Sequence, residues 1–278
     1  MTSPVPALTL HDGSTIPQLG FGVFLVDDTD AQTAVGEALR VGYRSIDTAA
    51  VYRNEAGVGR AIAESEVPRD ELYITTKLWN SNQGYDSTLV AAEKSLARLG
   101  LDHIDLYLIH WPVPSADRYV DTWRAFIELR RRGLVRSIGV SNFNEAHLTR
   151  LVEETGEVPV INQIERHPFL QQPHLNAIHQ ECDVAIEAWS PLGRGNGVLE
   201  DETIQRIAAS HGKTPAQVVL RWHLDTGNVV IPKSVTPSRI AENFDVFDFQ
   251  LTADDLSAIT ALDRGERVGP DPEVFTGE

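Results

Sequence analysis

The chain holds one cysteine and one methionine in 278 residues. The lone Cys182 excludes an internal disulfide framework and suits a reducing compartment, so the cytoplasm is the expected location. Positive charge is scarce, with 24 Lys and Arg against 40 Asp and Glu, a net charge of −16. Such an excess repels nucleic-acid phosphates and anionic membranes, so neither is an expected partner. No apolar run approaches the ~18 residues of a membrane span. The start, MTSPVPALTL, lacks the basic-then-apolar order of a secretory signal. Three chemical signatures are missing too. No G-x-G-x-x-G follows a strand, and Gly57-Val58-Gly59 has the wrong spacing for one. No G-x-S-x-G nucleophile elbow occurs, and there is no His-x-His, HExxH or carboxylate cluster at ligand spacing. Glu165-x-His167 with His110 or Asp47 is the nearest approach to a metal set, and no metal is expected.

What is present describes an ordinary folded protein, 42% hydrophobic and 23% charged, with ample material for a core. The length suits a single α/β barrel of about 250 residues. One domain over residues 1–278 is the expectation, with a short polar tail at 264–278 and a monomer as the expected state. Residues 7–19 place Asp12-Gly13 between two short alternating runs, a hairpin signal. Eight β-rich runs follow, at 19–24, 44–47, 73–78, 104–110, 135–141, 161–165, 184–190 and 228–234. Between them, stretches such as DAQTAVGEALRVG and DSTLVAAEKSLARLG carry apolar residues at three- and four-residue spacing, as amphipathic helices do. Strands alternating with helices pair in parallel. Eight of them without a linker predict a closed (β/α)₈ barrel, its N-terminal end plugged by the hairpin, with a doubly wound open sheet as the alternative.

The ends of those runs are polar. The second ends on Asp47, the third on Lys77, the fourth on His110 and the fifth on Ser141-Asn142. The sixth carries Gln163, the seventh ends on Trp189-Ser190 and the eighth on Lys233-Ser234. In a barrel these side chains meet at the mouth where the strands finish, the face on which barrel enzymes build their sites. Each residue alone has a plainer reading: a helix cap for Asp47, a hydrogen-bonded core group for His110, packing for Trp189, surface charge for Lys233. Convergence is what favours function. Lys77, inside an apolar run, needs a buried partner such as Asp47.

The residues at these ends resemble the aldo-keto reductase family over about residues 7–265. The motifs are LGFG (19–22), GYRSIDTAAVYRNEAGVGRAI (42–62), TTKLW (75–79), LDHIDLYLIHWP (101–112), RSIGVSNF (136–143), INQIERHP (161–168), WSPLG (189–193) and IPKSVTPSRIAEN (231–243). Within the family the chain is most similar to bacterial 2,5-diketo-D-gluconate reductases, through WSPLG and its short tail. The resemblance implies NADPH-dependent reduction of aldehydes and small ketones, dicarbonyls and keto sugar acids included. It also implies a catalytic tetrad of Asp47, Tyr52, Lys77 and His110. Tyr52 is then the general acid, its pKa eased by the Lys77 ammonium, which Asp47 holds in place. A neutral His110 orients the carbonyl.

For the cofactor, the resemblance puts Ser141, Asn142 and Gln163 on the carboxamide and Trp189 against the nicotinamide face. Ser190, at the end of the seventh run, is a further cofactor contact; Leu192, Gly193 and Gly195 belong to the glycine-rich loop that follows, PLGRGNG, free to approach the pyrophosphate and to move, with Arg194 placed to face the phosphates. Lys233, Ser234 and Arg239 resemble the family's 2′-phosphate site, with Val235 a further cofactor contact and Glu242 and Asn243 toward the adenine. Phe24, Trp79 and Trp111 line an apolar substrate funnel, over which Phe275 of the tail is placed to fold. A second reading keeps the barrel and makes the chain a redox-sensing binding subunit. The intact tetrad favours an enzyme.

Overall fold

Residues 5–277 are described in the computed structural model. Met1–Pro4 and Glu278, which the expected domain and tail include, lie outside the described residues. Two short antiparallel strands come first, β1 (Ala7–Thr9) and β2 (Thr15–Pro17), with Leu8 opposite Ile16. The turn between them needs Gly13, whose φ is 83°. Asp12 accepts hydrogen bonds from Ser14 N at 2.9 Å and Ser137 Oγ at 2.8 Å, which ties the hairpin to a barrel strand. Leu10 and Ile16 pack on Leu106, Val160, Ile161 and Val229, so the hairpin closes the end at which the barrel strands begin.

The barrel strands are β3 (Phe21–Gly22), β4 (Ser45–Asp47), β5 (Tyr73–Leu78), β6 (Ile104–Ile109), β7 (Val135–Ser141), β8 (Ile161–Glu165), β9 (Ala185–Trp189) and β10 (Val229–Val230). Each pairs in parallel with the next. A parallel bridge from Leu19 to Val230 and a hydrogen bond from Gly22 N to Pro232 O, 3.0 Å, join the last strand to the first. The sheet is therefore a closed (β/α)₈ barrel, not the open alternative. β3 and β10 are shorter than the runs 19–24 and 228–234 predict. Pro232 has no N–H to continue the ladder, and single hydrogen bonds carry the closure beyond it.

Among the described residues ten α-helices cover the barrel: α1 (Asp28–Val41), α2 (Glu55–Glu64), α3 (Tyr85–Leu99), α4 (Tyr119–Arg131), α5 (Glu145–Thr155), α6 (Pro173–Glu181), α7 (Glu202–His211), α8 (Pro215–Asp225), α9 (Pro237–Phe244) and α10 (Ala253–Thr260). Their amphipathic faces meet the outward side chains of the strands, as Ala34, Val35, Ala38 and Leu39 of α1 do beside Ile46 and Ile74. Gly57 and Gly59 serve this packing. A Cβ on Gly57 would stand 1.9 Å from Asp28 O, and one on Gly59 would stand 2.4 Å from Leu99 O. Those two glycines let α2 lie against its neighbours, which gives the Gly-x-Gly a packing role.

Strand alternation sorts the interior into layers. Tyr73, Thr75 and Lys77 of β5 share the inner face, as do Ala185, Glu187 and Trp189 of β9. The bottom layers are apolar, with Leu106, Leu108, Val160, Ile161 and Val229 in one cluster. Polar and charged groups occupy the layers above. That gradient, buried hairpin end to polar mouth, is what positions the site.

Candidate active site

Lys77 is fully buried and Asp47 is 2% exposed. Lys77 Nζ lies 2.5 Å from Asp47 Oδ1, 2.9 Å from Thr48 O and 3.5 Å from the Tyr52 hydroxyl. β4 and β5 are paired neighbours, so Asp47 and Lys77 stand side by side at the mouth. Tyr52 follows on a single 3₁₀ turn, Ala50–Tyr52, ended by Arg53 in the left-handed conformation. The ring of His110, just past β6, is 5.7 Å from that of Tyr52, nearly edge-on. All four residues of the expected tetrad thus meet in one place.

Charge in this pocket is decided by burial. Burial alone would lower the pKa of Lys77, but Asp47, then Tyr52, carry it above the ordinary amine range. Burial and then Lys77 push His110 well below its ordinary value, which keeps the imidazole neutral. For Tyr52 the balance differs from the sequence expectation. Burial raises the phenol above its ordinary value, Lys77 opposes the rise, and Asp47 and Glu187 add to it. The ammonium restrains the rise and does not reverse it. Tyr52 therefore holds its proton at neutral pH, as a proton donor must.

The residues expected around a nicotinamide form a hydrogen-bonded set. Ser141 Oγ donates to Gln163 O at 2.8 Å, and Asn142 Nδ2 donates to His110 O at 3.0 Å. Trp189 Nε1 donates to Asn142 Oδ1 at 2.8 Å, fixing the indole plane. Asn142 and Ser190 both have positive φ, 63° and 49°, so local strain is held at the mouth. The glycine-rich loop turns at Gly193 and Gly195, with φ of 71° and 81°. A Cβ on Gly193 would stand 2.1 Å from Asn196 Oδ1, so a side chain there would have to displace Asn196 as well as bear the positive φ. Arg194 of this loop stands over Phe24. Its guanidinium carbon lies 5.1 Å from the ring centroid of Phe24, a cation–π contact that links this loop to the loop after β3.

Beyond the loop opens a cavity of about 400 Å³ whose lining includes Leu192, Lys233, Ser234, Arg239, Glu242 and Asn243. Lys233 and Arg239 are exposed cations on its rim, and Ser234 Oγ accepts from Thr236 N at 3.1 Å just before α9. Val235 lies beside them, 51% exposed, and is not among the lining residues. Two cations and a helix N-terminus opened by Pro237 suit a phosphate group. The cavity, the cations and the polar groups beside Trp189 together fit a phosphorylated dinucleotide.

Over the tetrad stands an aromatic funnel. Phe24 is 5.1 Å from Tyr52 and Trp79 is 5.2 Å from His110, centroid to centroid. Phe275 packs on Trp111 at 4.5 Å, so the tail folds over the pocket. Glu165 and His167, the nearest approach to a metal set in the sequence, have another use. Glu165 accepts from Val268 N at 2.5 Å, Gly269 N at 3.0 Å and His167 Nε2 at 3.1 Å, clamping the tail where Gly269 meets the Trp189 ring. Among the described residues no group of three or more His, Cys, Asp or Glu is arranged to hold a metal ion.

One buried group at the site is absent from the sequence expectations. Glu187, two residues before Trp189 on the same face of β9, accepts from Gln163 Nε2 at 2.7 Å, and the same nitrogen donates to Asp47 Oδ2 at 2.9 Å. Strand alternation counted back from Trp189 puts it on the inner face, but its partner Gln163 comes from the neighbouring strand.

The fold and these residues define a class. The family model described as "Aldo/keto reductase family" matches residues 18–264, and the chain belongs to that family. It is 58% identical over 270 residues to an aldo-keto reductase of Mycolicibacterium smegmatis, covering 97% of this chain and 98% of that one. It is 54% identical over 278 residues to methylglyoxal reductase DkgA of Escherichia coli strain K12, covering 100% of each. A solved structure of a Gox0644 variant in complex with NADPH superposes with a TM-score of 0.95 at 50% identity, covering 98% of this chain and 99% of that one.

Proposed function

We propose that this chain is an NADPH-dependent reductase of aldehydes and small ketones, dicarbonyls and keto sugar acids included, with Tyr52 as its general acid. One observation carries the reading: a fully buried Lys77–Asp47 pair stands 3.5 Å from a phenol at the floor of an aromatic funnel, beside a neutral imidazole. The names of the relatives agree with it, since methylglyoxal is a dicarbonyl and the Gox0644 structure holds NADPH. The chain acts as one domain and a monomer in the cytoplasm. Size-exclusion chromatography checks the oligomeric state.

Reduced nicotinamide, when bound, supplies a hydride to the carbonyl carbon. The chain's residues do the rest. Trp189 offers its face to the ring, and Ser141, Asn142 and Gln163 offer polar atoms to the carboxamide. His110 orients the carbonyl oxygen toward Tyr52, which gives up its hydroxyl proton as negative charge develops on that oxygen. Lys77 stabilises the phenolate left behind, and Asp47 keeps the ammonium in place. Phe24, Trp79, Trp111 and the tail exclude water around the step. A panel of aldehydes, ketones, methylglyoxal and keto sugar acids, read by NADPH oxidation, tests the reading. A chain that binds NADPH and reduces none of them is the redox-sensing subunit instead.

Cofactor choice follows from the cavity rim. Lys233 and Arg239 pair with a 2′-phosphate that NADH lacks, through charge-assisted bonds. Arg239→Ala weakens NADPH binding roughly ten- to hundredfold and leaves NADH nearly unchanged. Titration calorimetry with both cofactors measures it. Equal loss for the two overturns the assignment.

A further inference from the structure

Glu187 is an unusual occupant of a barrel interior. It is fully buried one layer below Trp189, and its Oε1 has no hydrogen-bond partner among the described residues. The titratable groups that face it are Asp47 from β4, Tyr73 and Lys77 from β5, and Tyr52 from the turn after β4. β8 presents the neutral Gln163, and β10 pairs with it through Val229. The enclosed space therefore holds two carboxyl groups and one ammonium.

Both carboxyls share one amide. Gln163 Nε2 has two protons, and the carboxyl oxygens it touches, Asp47 Oδ2 at 2.9 Å and Glu187 Oε2 at 2.7 Å, use both. Asp47 has a second donor in Lys77 Nζ at 2.5 Å, whereas Glu187 has none. Two buried anions against one cation leave an uncompensated charge, which proteins avoid by protonating the less well-solvated acid. Glu187 is that acid.

Resting on the proposed reductase function, we propose that Glu187 is a positioning residue for carbonyl reduction. As an uncharged acid it accepts a hydrogen bond from Gln163 Nε2, which turns the amide oxygen toward the nicotinamide carboxamide as an acceptor, and it leaves Asp47 the sole anion paired with Lys77. The electrostatics agree. Burial, then Asp47, push Glu187 from the ordinary 4.5 up to about 8, against the pull of Gln163 and Lys77. Ionisation of Glu187 adds a second negative charge near Tyr52 and makes the phenol a poorer acid. Reduction by the wild type accordingly falls as pH rises through about 8.

Stability follows the same proton. The native state holds it up to about 8 and the unfolded chain releases it near 4.5, so stability falls with rising pH across that window and levels off above it. Glu187→Gln keeps an oxygen for Gln163 and abolishes the titration.

Three measurements on the full chain test this. Infrared spectra of the cofactor-free protein at pH 7 show a buried carboxylic-acid carbonyl band that disappears in Glu187→Gln and on raising the pH. The thermal midpoint of Glu187→Gln gains on the wild type as pH increases from 5 to 8. The pH profile of kcat/KM loses its limb near 8 in Glu187→Gln, which otherwise retains the rate at pH 6.5. Glu187→Leu, lacking the acceptor, raises the NADPH Kd about tenfold, the loss of one buried hydrogen bond. A missing carbonyl band, an unmoved alkaline limb, or equal NADPH affinity in the Gln and Leu variants overturns the proposal while leaving the reductase intact. A wild type that reduces no carbonyl sinks the function itself, and the positioning role with it.

Discussion

Tyr52→Phe lowers kcat by ~10²–10⁴-fold or more and changes the NADPH Kd by less than about threefold. The substitution keeps the ring that packs 5.1 Å from Phe24 and 5.7 Å from His110, so the funnel keeps its shape. It deletes the hydroxyl that lies 3.5 Å from Lys77 Nζ. His110 cannot take over, because burial and Lys77 keep its imidazole neutral and well below its ordinary pKa. A neutral imidazole can hydrogen-bond a carbonyl but is a poor source of a proton at neutral pH. The opposite assignment, with His110 as acid and Tyr52 as packing, predicts a Tyr52→Phe enzyme near wild-type rate and a dead His110→Ala. Steady-state kinetics on both variants, with cofactor Kd measured by fluorescence, separates the two. A fully active Tyr52→Phe enzyme would falsify the proton-donor role.

Much of this architecture is legible in the sequence, for a reason particular to parallel barrels. Each β-rich run stops where its ladder stops, so a residue such as Asp47 or Lys77 at the end of a run is assigned a depth and a face at once. The amphipathic helices and the Asp12-Gly13 turn are equally local signals. Family motifs then name the chemistry of residues whose positions the alternation supplies.

Less legible were the features that depend on two distant segments. Glu187 lies in AIEAW, where a glutamate reads as well as a solvent-facing residue; only the pairing of β8 with β9 puts it opposite Gln163. The sequence gives Glu165 no partner, and residues 268 and 269, about a hundred positions on, supply it with their backbone N–H groups. Arg194 has a charge that suits a phosphate, and only the fold shows that it also stands over the Phe24 ring. The pKa of Tyr52 is the subtlest case. The sequence shows the ammonium that lowers it, whereas burial, the larger effect, belongs to the folded state alone.

Removing the carboxylate of Asp47 is the second substitution with a large effect, and it strikes stability as well as rate. Asp47→Ala leaves Lys77 Nζ buried with Thr48 O at 2.9 Å and the Tyr52 hydroxyl at 3.5 Å as its remaining polar contacts. Breaking a buried ion pair from one side typically costs about 3–5 kcal/mol, because the surviving charge is uncompensated. At about 2–4 °C per kcal/mol for a chain of this order of size, the thermal midpoint falls by roughly 6–20 °C. Glu187 softens the loss, since it too favours the charged form of Lys77 and can ionise once Asp47 no longer opposes it. Adding Glu187→Gln to Asp47→Ala therefore deepens the destabilisation, although the same change alone stabilises the wild type above neutral pH. Adding Lys77→Met relieves it, because no charge is left to bury. Activity does not follow stability in this series. Every member lacking Asp47 or Lys77 loses the arrangement that restrains the Tyr52 phenol, so kcat stays at least about a hundredfold down even where the midpoint recovers. Thermal midpoints by circular dichroism and kcat at pH 7 for the four proteins decide the matter. An Asp47→Ala protein as stable as the wild type, or an Asp47→Ala/Lys77→Met protein that regains its rate, contradicts the reading of this pair as the electrostatic support of Tyr52.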